Sequence, residues 1–185
     1  LLDFSSWQGN QDVISTRAER SYHSLTTQNF SGNDNNFLMH IDLANESETN
    51  VLTDQFIITG SATGTNTATI AFDGSDVVNK THSTNWLISQ GAGSNMTVTA
   101  PDGGNQYAPN GGISWWALKF VPESQNAGDL TSDEWNALNN KGEGAGKWYL
   151  VQTDEPSQGG NTSHAPLPPE GEQIQNLGSS VAQAV

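Results

Sequence analysis

Residues 22–72 read YHSLTTQNFSGNDNNFLMHIDLANESETNVLTDQFIITGSATGTNTATIAF, and this stretch decides the fold. Short runs rich in Thr, Ile, Leu and Phe are separated by clusters of Gly, Asn, Asp and Ser, which is the pattern of strands joined by turns. From Phe37 to Leu43 the apolar residues alternate with nearly the two-residue period of a half-buried strand. No helical period interrupts the stretch, so the sequence predicts an all-β fold.

The same alternation places His40 on the opposite face of its strand, beside Asp42. We predict a partly exposed position for this histidine. A metal-binding or catalytic histidine needs partners at a suitable spacing, and the histidines at positions 23, 82 and 164 provide none. A ligand role for His40 is therefore the less favoured interpretation.

The composition indicates a thin molecule with many turns. The chain has 185 residues, enough for one domain, or for one domain with a tail. Only 34% of the residues are hydrophobic, whereas 19 are glycines. Such a chain folds by concentrating its apolar positions on one face of its strands, which favours an extended β architecture.

Charge and cysteine usage exclude several classes of function. Six Lys and Arg residues against 20 Asp and Glu give a net charge of −14. A phosphate backbone requires clustered cations, so we expect no nucleic-acid partner. The chain has no cysteine, which excludes disulfides, cysteine-based zinc sites and thiol catalysis. The absence of cysteine also suits a polypeptide that crosses a membrane unfolded, where a premature disulfide would block passage.

Two further strands are predicted towards the C-terminus. Residues 113–121 read ISWWALKFV, and alternation puts Trp116, Leu118 and Phe120 on the more apolar face. Residues 147–153, KWYLVQT, form the last clear strand.

A short helix is predicted near 132–140. Residues 131–134 read TSDE, a capping box in which a hydroxyl and a carboxylate satisfy the free N–H groups of the first turn. Gly142 is expected to end this helix, and residues 142–146 are expected to be flexible.

We divide the chain into four parts and find no fixed-period repeat. The parts are a lead-in at 1–21, a β domain at 22–153, a Pro/Gly-rich linker at 154–171 and the start of a helix at 172–185. The lead-in lacks the basic start and long apolar core of a signal peptide, so we expect the chain to be cut from a longer protein.

No catalytic, cofactor-binding or metal-binding residue is assigned. Asn33–Asn35 and Asp73–Asp76 resemble fragments of calcium loops but lack the fixed series of oxygen ligands, so both are interpreted as turns. No G-x-S-x-G elbow occurs. The six tryptophans are interpreted as core residues, the alternative being an exposed aromatic row that binds sugars. The predicted core consists of Phe37, Met39, Ile41, Leu43, Phe56, Ile58, Ile70, Trp116, Leu118, Phe120, Trp148 and Leu150.

The order of these strands resembles the C-terminal passenger region of bacterial autotransporters, the pertactin-like type V secreted proteins. The resemblance covers roughly residues 22–153, and the series in order is more specific than any one piece. The matching segments are LTTQNFSG from Leu25, FLMHIDL from Phe37, LTDQFIITG from Leu52, SATGTNTATI from Ser61, WLIS from Trp86, MTVT from Met96, WWAL from Trp115 and KWYLV from Lys147.

This resemblance implies the C-terminal end of a right-handed parallel β-helix with a hairpin-bearing cap, often called the autochaperone. It implies a non-catalytic module that templates folding of the passenger of a virulence factor during outer-membrane translocation. The implied partners are upstream β-helix rungs and a downstream outer-membrane β-barrel of the same polypeptide, with a host protein as a further candidate. The implied location is the bacterial cell surface, or the medium after passage through the periplasm.

Two alternatives stay open. The first is a binding module, either an adhesin or a surface that recruits a host protein. Two segments, 46–53 and 129–146, are longer than the resemblance leads us to expect and are candidates for such a surface. The second is an enzyme fragment such as a polysaccharide lyase, which needs convergent acidic and basic residues and is disfavoured by only six cations.

Overall fold

A computed structural model describes residues 2–3, 21–74, 80–101, 106–107 and 114–153. Within these ranges eleven strands form two sheets, so the all-β class is confirmed. The predicted linker and C-terminal helix lie outside the described residues, as does most of the lead-in. In chain order the strands are β1 (Leu2–Asp3), β2 (Ser24–Thr27), β3 (Phe30–Ser31), β4 (Asn36–Ile41), β5 (Gln55–Ile58), β6 (Ala62–Phe72), β7 (Ile88–Gln90), β8 (Asn95–Thr99), β9 (Trp115–Pro122), β10 (Lys141–Glu143) and β11 (Gly146–Thr153).

The chain alternates between the two sheets as it advances, except that β3 and β4 both belong to the first sheet. The first sheet has the order β1-β4-β6-β8-β10, and β3 also pairs with β6. The second has the order β2-β5-β7-β11-β9. We call the parallel strands β2 to β8 the strand stack. Pairing within the stack is parallel throughout, whereas β9, β10 and β11 pair antiparallel.

Paired residues in the strand stack are separated by a nearly constant number of positions in the sequence, 31 or 32. Leu25 pairs with Phe56, and Phe56 pairs in turn with Ile88. Hydrogen bonds between neighbouring turns also join residues 31 or 32 positions apart. A structural repeat is therefore present where sequence analysis found none. Paired positions mostly differ in residue type and some differ in polarity, as Leu38 and Thr69 do, so the repeat is weak in the sequence.

One hydrophobic core receives side chains from both sheets. All twelve residues named above as core positions are buried in it. Aromatic rings contact one another within this core: the ring centroids of Phe37 and Phe56 lie 5.2 Å apart, and those of Phe120 and Trp148 lie 4.7 Å apart. Burial of such rings is the main stabilising contribution available to a chain with so few apolar residues.

Asparagine side chains and a glycine hold the loop at residues 32–35 against the neighbouring strand β6. Asn33 Oδ1 accepts a bond from the N–H of Thr65 at 2.9 Å. Asn66 Oδ1 accepts two bonds from Asn35, from its backbone N–H at 3.2 Å and from its side-chain amide at 2.9 Å. Gly64 adopts φ +105°, and a Cβ there would lie 2.0 Å from the carbonyl oxygen of Gly32. The Asn and Gly residues therefore determine how closely successive turns approach.

The region between β9 and β11 confirms one expectation and corrects another. An α-helix, α1 (Ser132–Ala137), begins with the predicted capping box on Thr131 and Glu134. It ends at Ala137, before the expected stop at Gly142. That glycine lies in β10, and β11 begins at Gly146, so the prediction of a flexible 142–146 segment was wrong. Pairing with β8 stabilises an extended conformation that no local pattern indicated.

We predict that Gly64→Ala lowers the free energy of unfolding by about 3 kcal/mol, because a methyl group would enter the neighbouring backbone in a left-handed conformation. Gly93→Ala is the matched control. Gly93 also has a positive φ, +77°, but a Cβ there meets no atom within 4 Å, so the loss should be about 1 kcal/mol. Urea unfolding of the two variants measures the difference, and equal losses would show that the turns do not stack closely.

Candidate functional site

The strand stack has two different ends, and the first of them is open in the described residues. There β2 pairs only with β5 and lies at the outer position of its sheet. At the same end of the other sheet, β1 lies parallel to β4. An outer strand presents unpaired N–H and C=O groups that accept a further strand. The direction of pairing at this end favours a parallel addition.

The opposite end of the stack is closed by a reversal of strand direction. There β11 runs antiparallel to β7, and β9 pairs antiparallel with β11 along its whole length. In the other sheet, β10 runs antiparallel to β8. We call residues 114–153 the closing segment. Antiparallel strands need only short connections, so they allow both sheets to finish within one piece of chain.

The outer edge of β9 is covered at two places. Trp116 and Tyr107 exchange two backbone hydrogen bonds, at 2.6 and 2.8 Å, and Asn139 accepts a bond from the N–H of Phe120 at 2.8 Å. The hydroxyl of Tyr107 donates to the carbonyl of Ala68 at 2.9 Å. These contacts leave β9, the outermost strand of this sheet, less able to pair with another chain.

The outer strand of the first sheet is protected differently. β10 has only three residues, and its ends carry the exposed ion pair of Lys141 with Glu143. Its centre, Gly142, packs against the ring of Trp148, where a Cβ would lie 2.5 Å from ring atoms. Gln90 donates to the carbonyls of Gly142 and Gly144 at 2.9 and 2.7 Å. Short length and charge are the usual protection of an edge strand.

A buried carboxylate joins two loops on successive turns of the stack. Glu46 is 4% exposed and accepts bonds from the backbone N–H groups of Thr84 and Asn85, at 2.7 and 3.0 Å. It also accepts from the amide of Asn85 at 2.9 Å and from Lys80 Nζ at 3.3 Å. The segment 46–53 was a candidate for an exposed surface, but its first residue is an internal cross-link.

Asp54 makes a second cross-link of this type. Its two carboxylate oxygens accept bonds from the backbone N–H groups of His23 and His40, both at 2.9 Å. The prediction that His40 is partly exposed was wrong, since it is buried, with Nδ1 3.6 Å from a carboxylate oxygen of Asp73. The backbone N–H of Asp54 also donates to the carbonyl of His40 at 2.8 Å, so residue 54 lies against β4 at this point. The alternation of residues along β4 gives no sign of this contact.

Helix α1 covers the outer face of the closing segment. Its Trp135 is buried and stacks on the imidazole of His82, with ring centroids 4.4 Å apart, and meets Tyr149 edge-on at 5.5 Å. Burial, and in second place the charge of Lys80, lower the pKa of His82 below its ordinary value. Trp135 forms a small second core with Val121 and Val151, which are buried on the outer face of β9 and β11.

Glu46 and Asp54 both act as cross-links to the backbone of neighbouring segments. The carboxylates of Glu46 and Asp54 accept bonds from backbone N–H groups in loops and, at His40, in β4, so these amides are satisfied by side chains. Among the described residues, no group of three or more His, Asp or Glu side chains is placed to hold a metal ion. The signal that sequence reasoning missed was a pair of acidic residues, Glu46 and Asp54, in the one connection between β4 and β5.

Comparison with known proteins gives no relative: no family model, no curated protein and no solved structure matches the chain significantly. Within the described residues, no helix is both long and apolar enough to cross a membrane.

We predict that Glu46→Gln lowers the free energy of unfolding by about 3 kcal/mol, because it removes the negative partner of Lys80 and places an amide donor against backbone N–H groups. Glu143→Gln is the control, since Glu143 is exposed and its ion pair with Lys141 is screened by water. Chemical denaturation should show a clear loss for the first and almost none for the second. Similar midpoints would contradict the cross-linking role.

We predict that the chain loses stability as the pH falls below about 6.5, the ordinary pKa of histidine. Because the folded state lowers the pKa of His82, the unfolded state binds more protons. The contribution of His82 is therefore complete above 6.5 and is lost as the pH falls through the folded pKa. His82→Phe keeps an aromatic ring against Trp135 without the proton. Urea midpoints between pH 7.5 and 5.5 should fall less for this variant, and an identical fall would contradict the assignment.

Proposed function

We propose that this chain is the C-terminal end of a right-handed parallel β-helix and acts as a folding and secretion module in the passenger of a bacterial autotransporter. In this role it performs no catalysis. It folds first outside the outer membrane and templates the strands that follow it. The observation that supports this most directly is the polarity of the strand stack, which within the described residues is open at β2 and closed at β9 to β11.

The open end supports templating. A parallel strand pairs only with residues distant in sequence, so an isolated rung must close a long loop before any contact stabilises it. An existing edge removes part of that cost, because the incoming strand finds its hydrogen-bonding partners already ordered. In the strand stack, each turn is fixed on the next by side chains such as Asn66 and Asp54.

The closed end supports an independently stable terminal unit. The closing segment contributes Trp116, Phe120 and Trp148, all at most 4% exposed, to the same core as the parallel strands. It therefore buries the apolar face that a simple end of the stack would leave in water. Its short or covered outer strands discourage aggregation of the unit while the rest of the chain is still unfolded.

We predict that Trp116→Ala, made in the full-length polypeptide, reduces surface display severalfold while leaving synthesis nearly unchanged. Trp116 is fully buried, and its loss should cost about 4 kcal/mol of the stability of the terminal unit. Display is measured by antibody labelling of intact cells, and synthesis by immunoblot of whole lysate.

Trp115→Ala is the matched control, because the neighbouring tryptophan lies on the opposite, partly exposed face of β9. Its display should stay close to wild type. Phe56→Ala, in the parallel part of the stack, should behave like Trp116→Ala. Normal display of a Trp116→Ala protein whose terminal unit is measurably destabilised would overturn the proposed role.

A further inference from the structure

A groove of about 580 Å³ crosses the outer face of the second sheet, away from the core. Its floor is a row of paired residues on four strands, in which Ile57 pairs with Ser89, Ser89 with Lys147, and Lys147 with Val121. Residues 122–127, which leave β9, form one wall, and Tyr149 also lines the groove. The volume lies in the range of small-ligand sites.

Several polar groups in this groove make no hydrogen bond within the described part of the chain. They are the hydroxyls of Ser89 and Tyr149, the side-chain amide of Gln125 and the carboxylate of Glu123, whereas the amide of Asn126 is used by Gly128 and Asp129. They share the groove with the apolar side chains of Ile57, Val121 and Ala127. The groove thus combines donors and acceptors with apolar surface.

Lys147 differs from the other three described lysines. Those three contact a carboxylate or backbone carbonyls, whereas Lys147 lies 5.4 Å from the ring centre of Trp86 and has no such partner. The ammonium of Lys147 is attracted to the ring face of Trp86, and its side chain is exposed at the groove. This one cation shares the groove with Glu123, on a chain of net charge −14. A polyanion is therefore a poor ligand for this surface.

The floor also argues against an extended peptide. Peptide strands are commonly held through backbone hydrogen bonds at the edge of a sheet. Here the ligand meets the face of a sheet, where the backbone groups are already paired between β5, β7, β11 and β9. Recognition must rely on side chains, which suits a ligand with many hydroxyl groups and apolar ring faces.

We propose that this groove binds a neutral oligosaccharide. The hydroxyls and amide bind sugar hydroxyls, Lys147 donates to sugar oxygens, and Tyr149 and Ile57 pack against the apolar faces of the rings. The role is separate from folding, since none of these five residues, Ile57, Ser89, Gln125, Lys147 and Tyr149, belongs to the main core.

The test is calorimetric titration of the purified 185-residue chain with four neutral hexasaccharides, cellohexaose, maltohexaose, mannohexaose and the hexamer of N-acetylglucosamine, and with hexagalacturonate as the anionic probe. At least one neutral probe should bind, and hexagalacturonate should not. Gln125→Ala and Tyr149→Phe should each weaken binding about fivefold, the loss of one hydrogen bond.

The matched controls are Gln28→Ala and Tyr22→Phe, which make the same chemical changes outside the groove. They should bind as wild type does, and circular dichroism should show that all four variants remain folded. The proposal is overturned if no neutral probe binds at millimolar concentration, if only hexagalacturonate binds, or if the groove variants bind as tightly as the controls. None of these results depends on surface display, so failure here leaves the proposed folding role untouched.

Discussion

The structure depends on backbone hydrogen bonding between parallel strands that lie about 31 or 32 residues apart. This pairing is non-local, so it has to be held in register by something other than short connections. The turns provide that restraint. Asn33, Asn66 and Asp54 bond across to the next turn, and Gly64 allows the close approach that a side chain would prevent. The polar composition of the chain is thus part of its architecture and not only a source of solubility.

A stack of parallel strands leaves an unpaired edge at its end, and in this chain the closing segment covers that edge. A reversal to antiparallel pairing in both sheets lets one 40-residue stretch, 114–153, supply the last strand of each. The same stretch carries the largest buried rings and the helix that covers its outer face. Stability and termination are therefore located together, which is the arrangement that a first-folding unit needs. The closing segment also supplies most of the lining of the groove, and residues 57–59 and 89–92 complete it.

The local sequence pattern predicted the structure correctly wherever the conformation of a segment is determined by residues close to it in the sequence. The alternation around Phe37 and around Trp116 identified strands and their buried faces, because a two-residue period states which side meets the core. The capping box at Thr131 identified the start of α1, because its hydrogen bonds close within four residues. The same patterns failed for His40 and for 142–146, where a distant strand or loop decides burial and conformation.

By itself, then, the sequence determined the all-β class, most of the core and the absence of thiol chemistry, since these follow from composition and from contacts between near neighbours. Only the tertiary structure decided the 31 to 32 residue register, the cross-links made by Glu46 and Asp54, and the groove around Lys147. Each of these joins residues that are far apart in the chain. They come together only when the strands of both sheets pair. That pairing is determined by the total free energy of the fold, so no single segment of the sequence predicts it.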